Sequence, residues 1–328
     1  MKILVLTHSE VEQLLPMSEC IAVMQEALSS LARGEMHQPL RLVVKPPEAA
    51  GVIAMMPAYR AGVDPVFGLK AICVFPGNPQ KGKDAHQGGV LLFSGDTGEP
   101  LAIMNASAIT AIRTAAVSAV ATRVLAREDA CDLAIVGAGV QARSHLAALS
   151  RVRQIKRARV ASRTFDHARK LVAEAQDHFA FPISAVEEAR AAVTDADLIV
   201  TVTTSREPVL QRDWIAPGAH INAIGTYSPR AREVDTATMV AAKIFVDRRE
   251  SALNEAGDYL IAADEGAIGS EHIRAELGEV LIGAAPGRTA HDEITLFKSL
   301  GLAIEDLAAA AYLYQKAQQK NCGAWVEF

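Results

Sequence analysis

Hydrophobic positions recur in two different ways along the 328-residue chain, which predicts two domains. In the first third they recur at helical spacing, at Ile21, Met24, Leu28 and Leu31, and Gly34 ends that helix. Short apolar runs bounded by turn residues follow and predict a mostly antiparallel sheet, with strands at 41–44, 52–56, 66–75, 89–93 and 101–104. A long apolar helix at about 108–126 then leads into the second domain.

From about residue 130 the chain alternates between short buried strands and helices. The strands are expected near 132–136, 157–162, 197–202, 220–224 and 243–247. Such alternation predicts a doubly wound parallel sheet, so the predicted fold class is α/β, with a Rossmann domain at 126–301 and an α+β domain at 1–125. An Ala-rich amphipathic helix at 304–320 lies beyond the alternating part. We therefore expect the segment 302–328 to complete the first domain.

A glycine-rich turn after the first of these strands predicts a dinucleotide-binding site. Gly137, Gly139 and Ala142 have the spacing G-x-G-x-x-A between an apolar strand and a helix. Gly137 permits the tight turn, Gly139 lets the backbone approach a pyrophosphate, and Ala142 lets helix and strand pack closely. The helix N-terminus then offers N–H groups and a positive dipole end to the phosphates. A purely structural strand–helix turn is the alternative.

The end of the next strand indicates which dinucleotide would bind. NAD-binding domains usually have an acidic residue there, whereas this chain has Ser162, Arg163 and Thr164. Two hydroxyls and a guanidinium suit a 2′-phosphate, which arginine binds in a bidentate fork. Asp166 is close by, but Ser-Arg-Thr-x-Asp is equally a helix N-cap pattern with Asp166 in the first turn. The sequence therefore favours NADP(H) over NAD(H).

Composition and charge exclude several classes of partner. The net charge of −5 and the lack of a long basic stripe do not suggest nucleic-acid binding. The four cysteines are scattered, with no C-x-x-C and no zinc spacing, so no metal is expected. We find no signal peptide and no apolar run that approaches membrane-spanning length. These observations predict a soluble cytoplasmic protein that does not bind a membrane.

Three cations with apolar neighbours are the main candidates for chemistry in the first domain. They are Arg41 at the start of a strand, Lys70 inside a strand, and Arg113 in a helix of small residues. Ionisable groups among apolar neighbours need a partner or an anionic ligand, so together they suit a small carboxylate and a cofactor phosphate. In the alternative, Arg41 extends its charged end to water and strand alternation turns Lys70 to solvent.

Other polar candidates follow strands or lie between elements. His86 and Gln87 precede a strand, and a lone histidine in such a place is more often structural than catalytic. Val202, Thr203, Gly225 and Tyr227 follow two strands of the parallel sheet, at the edge where ligands bind. Glu255 is either an acid of the site or a solvated residue near a helix end.

These segments together resemble the ornithine cyclodeaminase/mu-crystallin family. The matching stretches span nearly the whole chain in order, at 38–41, 56–59, 70, 86–87, 109–116, 137–142, 217–225, 275–280 and 297–301. The resemblance implies a homodimer in which the first domain, with the C-terminal helix, forms the subunit interface and the substrate site.

The resemblance also implies roles for individual residues. Arg41, Lys70 and Arg113 match the cations that face the substrate carboxylate and the cofactor, and Glu255 matches a proposed acid near the substrate. The cofactor contacts are then expected at His86, Gln87, Arg113, Thr114, Gly137, Gly139, Val140, Gln141, Ser162, Arg163, Thr164, Val202, Thr203, Gly225 and Tyr227. Lys70 and Glu255 are both candidates for the proton donor, and the sequence does not choose between them.

One departure from the family pattern favours a particular activity. Ornithine cyclodeaminases and related archaeal alanine dehydrogenases have an aspartate two residues after the glycine that matches Gly225, whereas this chain has Tyr227. The chain is thus more similar to the mu-crystallin-type ketimine reductases. We expect NADPH-dependent reduction of Δ1-pyrroline-2-carboxylate or Δ1-piperideine-2-carboxylate to L-proline or L-pipecolate. The alternatives are another amino-acid dehydrogenase or a cyclodeaminase of the family, and a non-catalytic NADPH-dependent binding protein.

Overall fold

The computed structural model describes residues 1–328, apart from the side chain of residue 79. The chain divides into two compact units. Unit 1 comprises Met1–Ala116 and Gly301–Phe328, and unit 2 comprises Val117–Leu300. The sequence boundary at 125/126 thus lies nine residues after the boundary between the units, because one long helix continues from unit 1 into unit 2.

Unit 1 contains a mixed sheet of eight strands. Seven strands follow the order β16-β1-β7-β6-β5-β4-β2, and β3 pairs with β4. All pairs are antiparallel except β1 with β7, which fits the predicted mostly antiparallel sheet. The strands are β1 (Lys2–Leu6), β2 (Met36–His37), β3 (Leu42–Val44), β4 (Val52–Arg60), β5 (Val66–Val74), β6 (His86–Ser94), β7 (Pro100–Asn105) and β16 (Ala324–Glu327).

The helices of unit 1 include one from the C-terminal end of the chain. They are α1 (His8–Leu14), α2 (Met17–Ala32), the first half of α3 (Ala106–Leu125), and α11 (Ala303–Lys320). Helix α11 packs in unit 1, against α2 and strands β4, β5 and β6. A Cβ atom added to Gly68 of β5 would lie 2.7 Å from Leu307 of α11, so the glycine allows this close approach.

Helix α3 is the exception to the expectation that no apolar run has membrane-spanning length. By length and composition alone it could cross a membrane, so that expectation is wrong for this segment. However, 72% of its most apolar 18-residue window is buried inside the protein. The core helix of a globular protein has the same length and composition, because such a helix is apolar all round.

Unit 2 contains an eight-stranded sheet in which every strand pair is parallel. Its order is β10-β9-β8-β11-β12-β15-β13-β14. The strands are β8 (Asp132–Val136), β9 (Arg157–Ala161), β10 (Ile183–Val186), β11 (Leu198–Thr201), β12 (His220–Ala223), β13 (Lys243–Val246), β14 (Ile273–Glu276) and β15 (Thr295–Lys298). The five predicted strands lie within one residue of their observed bounds, whereas β10, β14 and β15 are additional. The predicted α/β class with a Rossmann-type sheet is confirmed.

The direction in which the chain moves along the sheet reverses between β8 and β11. From β8 it moves outward through β9 to β10, and then returns to β11 on the other side of β8. In open parallel sheets, ligands bind at the carboxyl ends of strands at such a reversal. The helices of unit 2 are the second half of α3, α4 (Val140–Leu149), α5 (Phe165–Ala175), α6 (Ala189–Val193), α7 (Thr236–Ala241), α8 (Arg249–Glu255), α9 (Gly257–Asp264) and α10 (Leu277–Leu281).

Candidate functional site

The turn between β8 and α4 has the geometry that a bound pyrophosphate requires. Gly137 has φ +119°, and a Cβ atom there would lie 2.6 Å from the carbonyl oxygen of Val202, so no other residue fits. Gly139 is the N-cap of α4, and a Cβ atom added to it would meet nothing within 4 Å. That open space lets a ligand approach the backbone at the helix N-terminus. Ala142 is fully buried, as close strand–helix packing requires.

The end of β9 presents the predicted recognition segment to solvent. Arg163 and Thr164 are exposed, Ser162 is half-buried, and Thr164 is the N-cap of α5. Asp166 lies in the first turn of α5, where its 82% exposed side chain pairs with Arg169. The Asp166 carboxylate thus interacts within α5, as expected if Ser-Arg-Thr-x-Asp is a helix N-cap pattern. Arg163 makes no hydrogen bond or ion pair with any residue that the structure describes.

A buried glutamate joins the loops that follow β11 and β12. Glu233 has no exposed surface, and its carboxylate accepts four hydrogen bonds. Thr203 donates its backbone N–H (2.6 Å) and its hydroxyl (2.7 Å), Gly225 donates its N–H (2.6 Å), and Thr201 donates its hydroxyl (2.9 Å). One side chain therefore fixes Thr203 and Gly225, both predicted cofactor contacts, at neighbouring strand ends.

Asp258 and Lys298 extend this network below the same loops. Asp258 accepts from the N–H groups of Glu233 (2.7 Å) and Val234 (3.0 Å) and from the hydroxyl of Thr226 (2.8 Å). Lys298 donates to Asp258 at 2.8 Å and to the carbonyl oxygen of Thr226 at 2.7 Å. We call Glu233, Asp258 and Lys298 the Glu233 cluster.

Burial and neighbouring charges act differently on the two carboxylates of this cluster. Burial raises the pKa of Glu233, and Asp258 adds to that effect, whereas Lys298 and the donors of Thr203 oppose it. Burial would also raise the pKa of Asp258, but Lys298 and the hydrogen bonds hold that pKa below its usual value. Sequence reasoning missed all three residues as site residues, although a lysine inside a buried strand such as β15 is a signal for a buried partner.

The other predicted residues of unit 2 lie at the ends of strands and helices. Val140 begins α4 and is 65% exposed, and Gln141 follows it. Tyr227 is 46% exposed in the loop after β12, and Glu255 is the last residue of α8, where it is half-buried. These positions are compatible with ligand contacts, and their roles stay predictions.

Lys70 lies on the buried face of β5, not on the solvent face. Strand alternation places it on the same face as Gly68 and Ile72, which α11 covers, and its side chain is 3% exposed. Its Nζ donates to the Thr110 hydroxyl at 2.6 Å and to Asp306 Oδ1 at 3.2 Å. The alternative in which alternation turns Lys70 to water is therefore wrong.

Arg113 is held by two carboxylates from the first turn of α11. Its Nε donates to Asp306 Oδ1 at 3.2 Å, and its Nη1 donates to Glu305 at 2.5 Å. All of these side chains are buried. A Cβ atom added to Gly301 would lie 2.6 Å from Arg113 Nη1, so this glycine makes room for the guanidinium. We call Lys70, Arg113, Glu305 and Asp306 the Lys70 cluster.

The electrostatics of the Lys70 cluster favour proton exchange at the lysine. Burial, opposed by Asp306 and assisted by Arg113 and Arg41, lowers the pKa of Lys70 to about 8. Burial also opposes the charge of Arg113, but Asp306 and Glu305 raise its pKa, so it stays protonated. A lysine that titrates near neutral pH suits an acid–base role.

Two of the remaining predicted residues of unit 1, Arg41 and His86, are electrostatic neighbours of this cluster. Arg41 is half-buried, and its Nη2 donates to the carbonyl oxygen of Gly301 at 3.1 Å. Burial and the charges of Lys70 and Arg113 lower the pKa of His86, so this side chain is neutral near pH 7. Gln87 donates to the carbonyl oxygen of Asp84.

Thr114 is buried and follows Arg113 in α3. The carboxylates of Glu305 and Asp306 were missed, although two acids next to apolar residues at the start of a helix are a signal for buried cations.

No group of three or more His, Cys, Asp or Glu side chains that could hold a metal ion is found among the described residues.

The fold and the glycine turn together define a Rossmann-type dinucleotide-binding protein with a second, α+β unit. The model of the ornithine cyclodeaminase/mu-crystallin family matches residues 1–321. The chain belongs to this family, and the predicted resemblance is confirmed.

Three similar proteins show how far the likeness extends. The mouse ketimine reductase mu-crystallin is 41% identical over 297 residues, which is 90% of each chain. The structure of Thermococcus litoralis Δ1-pyrroline-2-carboxylate reductase, in complex with NADH and L-proline, has a TM-score of 0.96 at 40% identity and covers 99% of this chain and 100% of its own. An archaeal alanine dehydrogenase dimer with bound NAD has a TM-score of 0.94 at 36% identity, with both chains fully covered.

Proposed function

We propose that the protein is an oxidoreductase that uses NADPH to reduce small cyclic 2-imino carboxylates. The expected substrates are Δ1-pyrroline-2-carboxylate and Δ1-piperideine-2-carboxylate, and the products are L-proline and L-pipecolate. One observation carries the proposal: a buried lysine with a pKa of about 8 shares the Asp306 carboxylate with Arg113 and has Arg41 as a further charged neighbour. This arrangement supplies both a proton and positive charge, which an imine with an adjacent carboxylate requires.

The cations of unit 1 bind and orient the substrate in this proposal. Arg41, with Lys70 and Arg113, attracts the carboxylate and fixes the position of the ring. Glu305 and Asp306 already neutralise much of the charge of Arg113, because its Nε and Nη1 donate to them. The family resemblance makes Arg41 the first candidate for direct pairing with the substrate carboxylate, assisted by Lys70 or Arg113.

Lys70 is the proton donor in this proposal. A neutral imine accepts hydride poorly, so the imine nitrogen has to be protonated first. One N–H bond of the Lys70 ammonium breaks and one N–H bond of the iminium forms, which leaves a neutral amine on Lys70. When it is bound, NADPH supplies the hydride that the iminium carbon accepts. We prefer Lys70 to Glu255 because the geometry and the pKa of Lys70 both suit the step.

The choice of NADPH rests on the segment at the end of β9. The exposed guanidinium of Arg163, with the hydroxyls of Ser162 and Thr164, offers the donors that a 2′-phosphate accepts. Two similar structures contain NADH or NAD. NADPH has the same nicotinamide group, so these structures support a nicotinamide cofactor without distinguishing NADPH from NADH. The 2′-phosphate preference is specific to this proposal.

A panel of reactions tests the function. The purified protein is assayed with NADPH and with NADH against both cyclic imines, pyruvate with ammonia, and ornithine. We expect imine reduction to have the largest kcat/KM, with NADPH preferred. Ammonia release from ornithine without net cofactor turnover would identify a cyclodeaminase, and faster reductive amination of pyruvate would identify an alanine dehydrogenase. Tight NADPH binding without any turnover would favour the binding-protein alternative.

The cofactor preference has its own test in Arg163→Ala. Loss of a charge-assisted, bidentate contact costs about 2 kcal/mol, so the Kd for NADPH should rise about 30-fold while the Kd for NADH stays unchanged. Arg169→Ala is the matched control, since Arg169 is exposed on α5, which begins two residues after Arg163, and pairs with Asp166. Equal losses for both cofactors, or a wild-type preference for NADH, would contradict the assignment to NADPH.

The expected homodimer also belongs to this proposal. The archaeal alanine dehydrogenase is described as a dimer, and β3 of this chain exposes the apolar side chains of Leu42, Val43 and Val44. Light scattering after size-exclusion chromatography should therefore give twice the chain mass of 34.9 kDa. A monomer at micromolar concentration would contradict the proposed homodimer.

The cytoplasmic location and the lack of a membrane partner stay predictions from the sequence.

A further inference from the structure

Asp306 is the carboxylate that faces the Lys70 ammonium. It lies in the first turn of α11, where the helix dipole favours a negative charge, and it is 1% exposed. Its Oδ1 accepts from Lys70 Nζ and from Arg113 Nε, each at 3.2 Å. Among the described residues, no other carboxylate lies within 4 Å of Lys70 Nζ.

The two oxygens of Asp306 have different surroundings. Oδ2 is buried and makes no hydrogen bond with any residue described in the structure, although buried carboxylate oxygens are nearly always hydrogen-bonded. The structural contacts of Asp306 therefore all pass through Oδ1. An asparagine could keep them and place its NH2 group at the Oδ2 position, so the charge of Asp306 can be removed separately from its hydrogen bonds.

The cations near Lys70 oppose its protonation. Arg113 on α3 and Arg41 before β3 are cations, and His86 on β6 would add a third if it were protonated. Two carboxylates of α11 lie in the same cluster, but Glu305 bonds to Arg113, whereas Asp306 bonds to Lys70 and is the main group that favours the ammonium form. Without its charge, burial and the two arginines would favour the neutral amine, which is far too weak an acid to protonate an imine.

We propose that Asp306 is a positioning residue whose charge keeps Lys70 in the ammonium form at neutral pH. Asp306 stays ionised throughout the reaction. Lys70 gives one proton to the imine nitrogen, and water returns a proton to Lys70 after product release. This inference rests on the proposed function, because it assigns the source of the proton for imine reduction.

The test is the pH dependence of kcat/KM in Asp306→Asn, with NADPH and Δ1-piperideine-2-carboxylate. Removal of an opposite charge within about 4 Å lowers the pKa of an ammonium group. The decline of kcat/KM should therefore begin about one pH unit lower in Asp306→Asn than in wild type. At pH 8, where wild-type Lys70 is about half protonated, this corresponds to a loss of about fivefold, which approaches tenfold at higher pH. The substrate ionises identically in every variant, so the difference between variants reports the enzyme.

Glu305→Gln is the matched control. Glu305 is equally buried in the same helix turn, but its bond is to Arg113 Nη1 and not to Lys70. In Glu305→Gln, the pH at which kcat/KM begins to decline should shift much less than in Asp306→Asn. An unshifted Asp306→Asn profile, or equal shifts in the two variants, would overturn the inference.

Folding is checked by circular dichroism and by the Kd for NADPH. Asp306→Ser is a second neutral variant, and either one that folds is sufficient for the test. If both unfold while Asp306→Glu folds, the carboxylate is needed for folding and the inference is overturned. A wild-type protein that reduces no cyclic imine would refute the proposed function, whereas imine reduction with an unshifted Asp306→Asn profile would refute this inference alone.

Discussion

The Lys70 cluster of unit 1 and the Glu233 cluster of unit 2 both bury charges completely, but their partners differ in kind. In the Glu233 cluster, backbone N–H groups and threonine hydroxyls donate to the carboxylates, and every named carboxylate oxygen has a partner. In the Lys70 cluster the partners are mainly charged side chains, and Asp306 Oδ2 has none among the described residues.

This difference separates a structural use of buried charge from a chemical one. A carboxylate that binds backbone N–H groups fixes the path of the chain, because removing it leaves buried donors without partners. A lysine whose ammonium form depends on the balance of nearby charges can lose and regain a proton near neutral pH. We therefore expect the Glu233 cluster to govern cofactor affinity and the Lys70 cluster to govern the rate of proton transfer.

The largest effect is expected from Lys70→Met. Loss of a general acid typically costs about 10²–10⁴ in rate, so kcat for the cyclic imines should fall by that factor. The Kd for NADPH should change much less than kcat, because the phosphate contacts proposed at Gly137 and Arg163 lie in the other unit. Lys45→Met, an exposed lysine that follows β3, is the control. A kcat within threefold of wild type would remove Lys70 from the proposed chemistry.

The next largest effect is expected from Glu233→Gln, which tests the other half of the comparison. The glutamine side chain replaces one carboxylate oxygen, which accepts hydrogen bonds, with an NH2 group, which donates them. This NH2 group would face the N–H of Thr203 or Gly225. An unsatisfied buried group costs about 1–3 kcal/mol, so the free energy of unfolding should fall by about 2 kcal/mol and the Kd for NADPH should rise about tenfold.

Urea unfolding and fluorescence titration measure these changes, and the exposed Glu207→Gln is the control. A loss of kcat at unchanged Kd would give Glu233 the role that we assign to the Lys70 cluster.

The pH dependence of the wild-type protein sharpens the comparison further. Burial lowers the pKa of Lys70 to about 8, and the ammonium form is the donor. The value of kcat/KM should therefore be constant below this pKa and fall about tenfold per pH unit above it. The Kd for NADPH should stay flat from pH 7 to about 9, because the arginines stay charged there. Parallel pH profiles for binding and catalysis would contradict the separation of roles.

The smallest effect is expected from Thr226→Val. The variant removes a hydroxyl that donates to Asp258 at 2.8 Å, but the carbonyl oxygen of Thr226 still accepts from Lys298. A hydrogen bond to a charged group contributes about 1.5–3 kcal/mol, but Asp258 Oδ2 keeps Lys298 as a partner, so we expect a loss near the lower end of that range. The Kd for NADPH should rise only a few-fold, without a change in kcat. Thermal unfolding in the presence and absence of NADPH measures the loss of stability and the change in Kd, and an imine-reduction assay measures kcat. A rise of Kd above that of Glu233→Gln would reverse the order of importance within the cluster.

The sequence predicts the cations of the site more readily than their partners. Lys70 and Arg113 are conspicuous because charged residues are rare among apolar neighbours. Their partner Asp306 is 236 and 193 residues away along the chain. Neither spacing nor periodicity connects positions so distant, and only the packing of α11 against β5 brings them together.

The same limit applies to the fold. Some predicted strands of unit 2 have strongly apolar sequences, such as Leu-Ala-Ile-Val in β8. Strands β10, β14 and β15 have four residues each, but so do the predicted β11, β12 and β13, so the length of a run does not distinguish the two groups. They form because parallel pairing to a neighbouring strand satisfies their backbone groups.

The discontinuity of unit 1 has a consequence for the synthesis of the protein. Strand β5 and the first half of α3 leave the ribosome long before α11, because the whole of unit 2 is translated between them. Until then Lys70 lacks Asp306, and the face of β5 around Gly68 has no cover. Contacts so distant in sequence form late in folding. The nascent chain therefore acquires a competent proton donor only after its last helix has been made, whereas unit 2 can fold while synthesis continues.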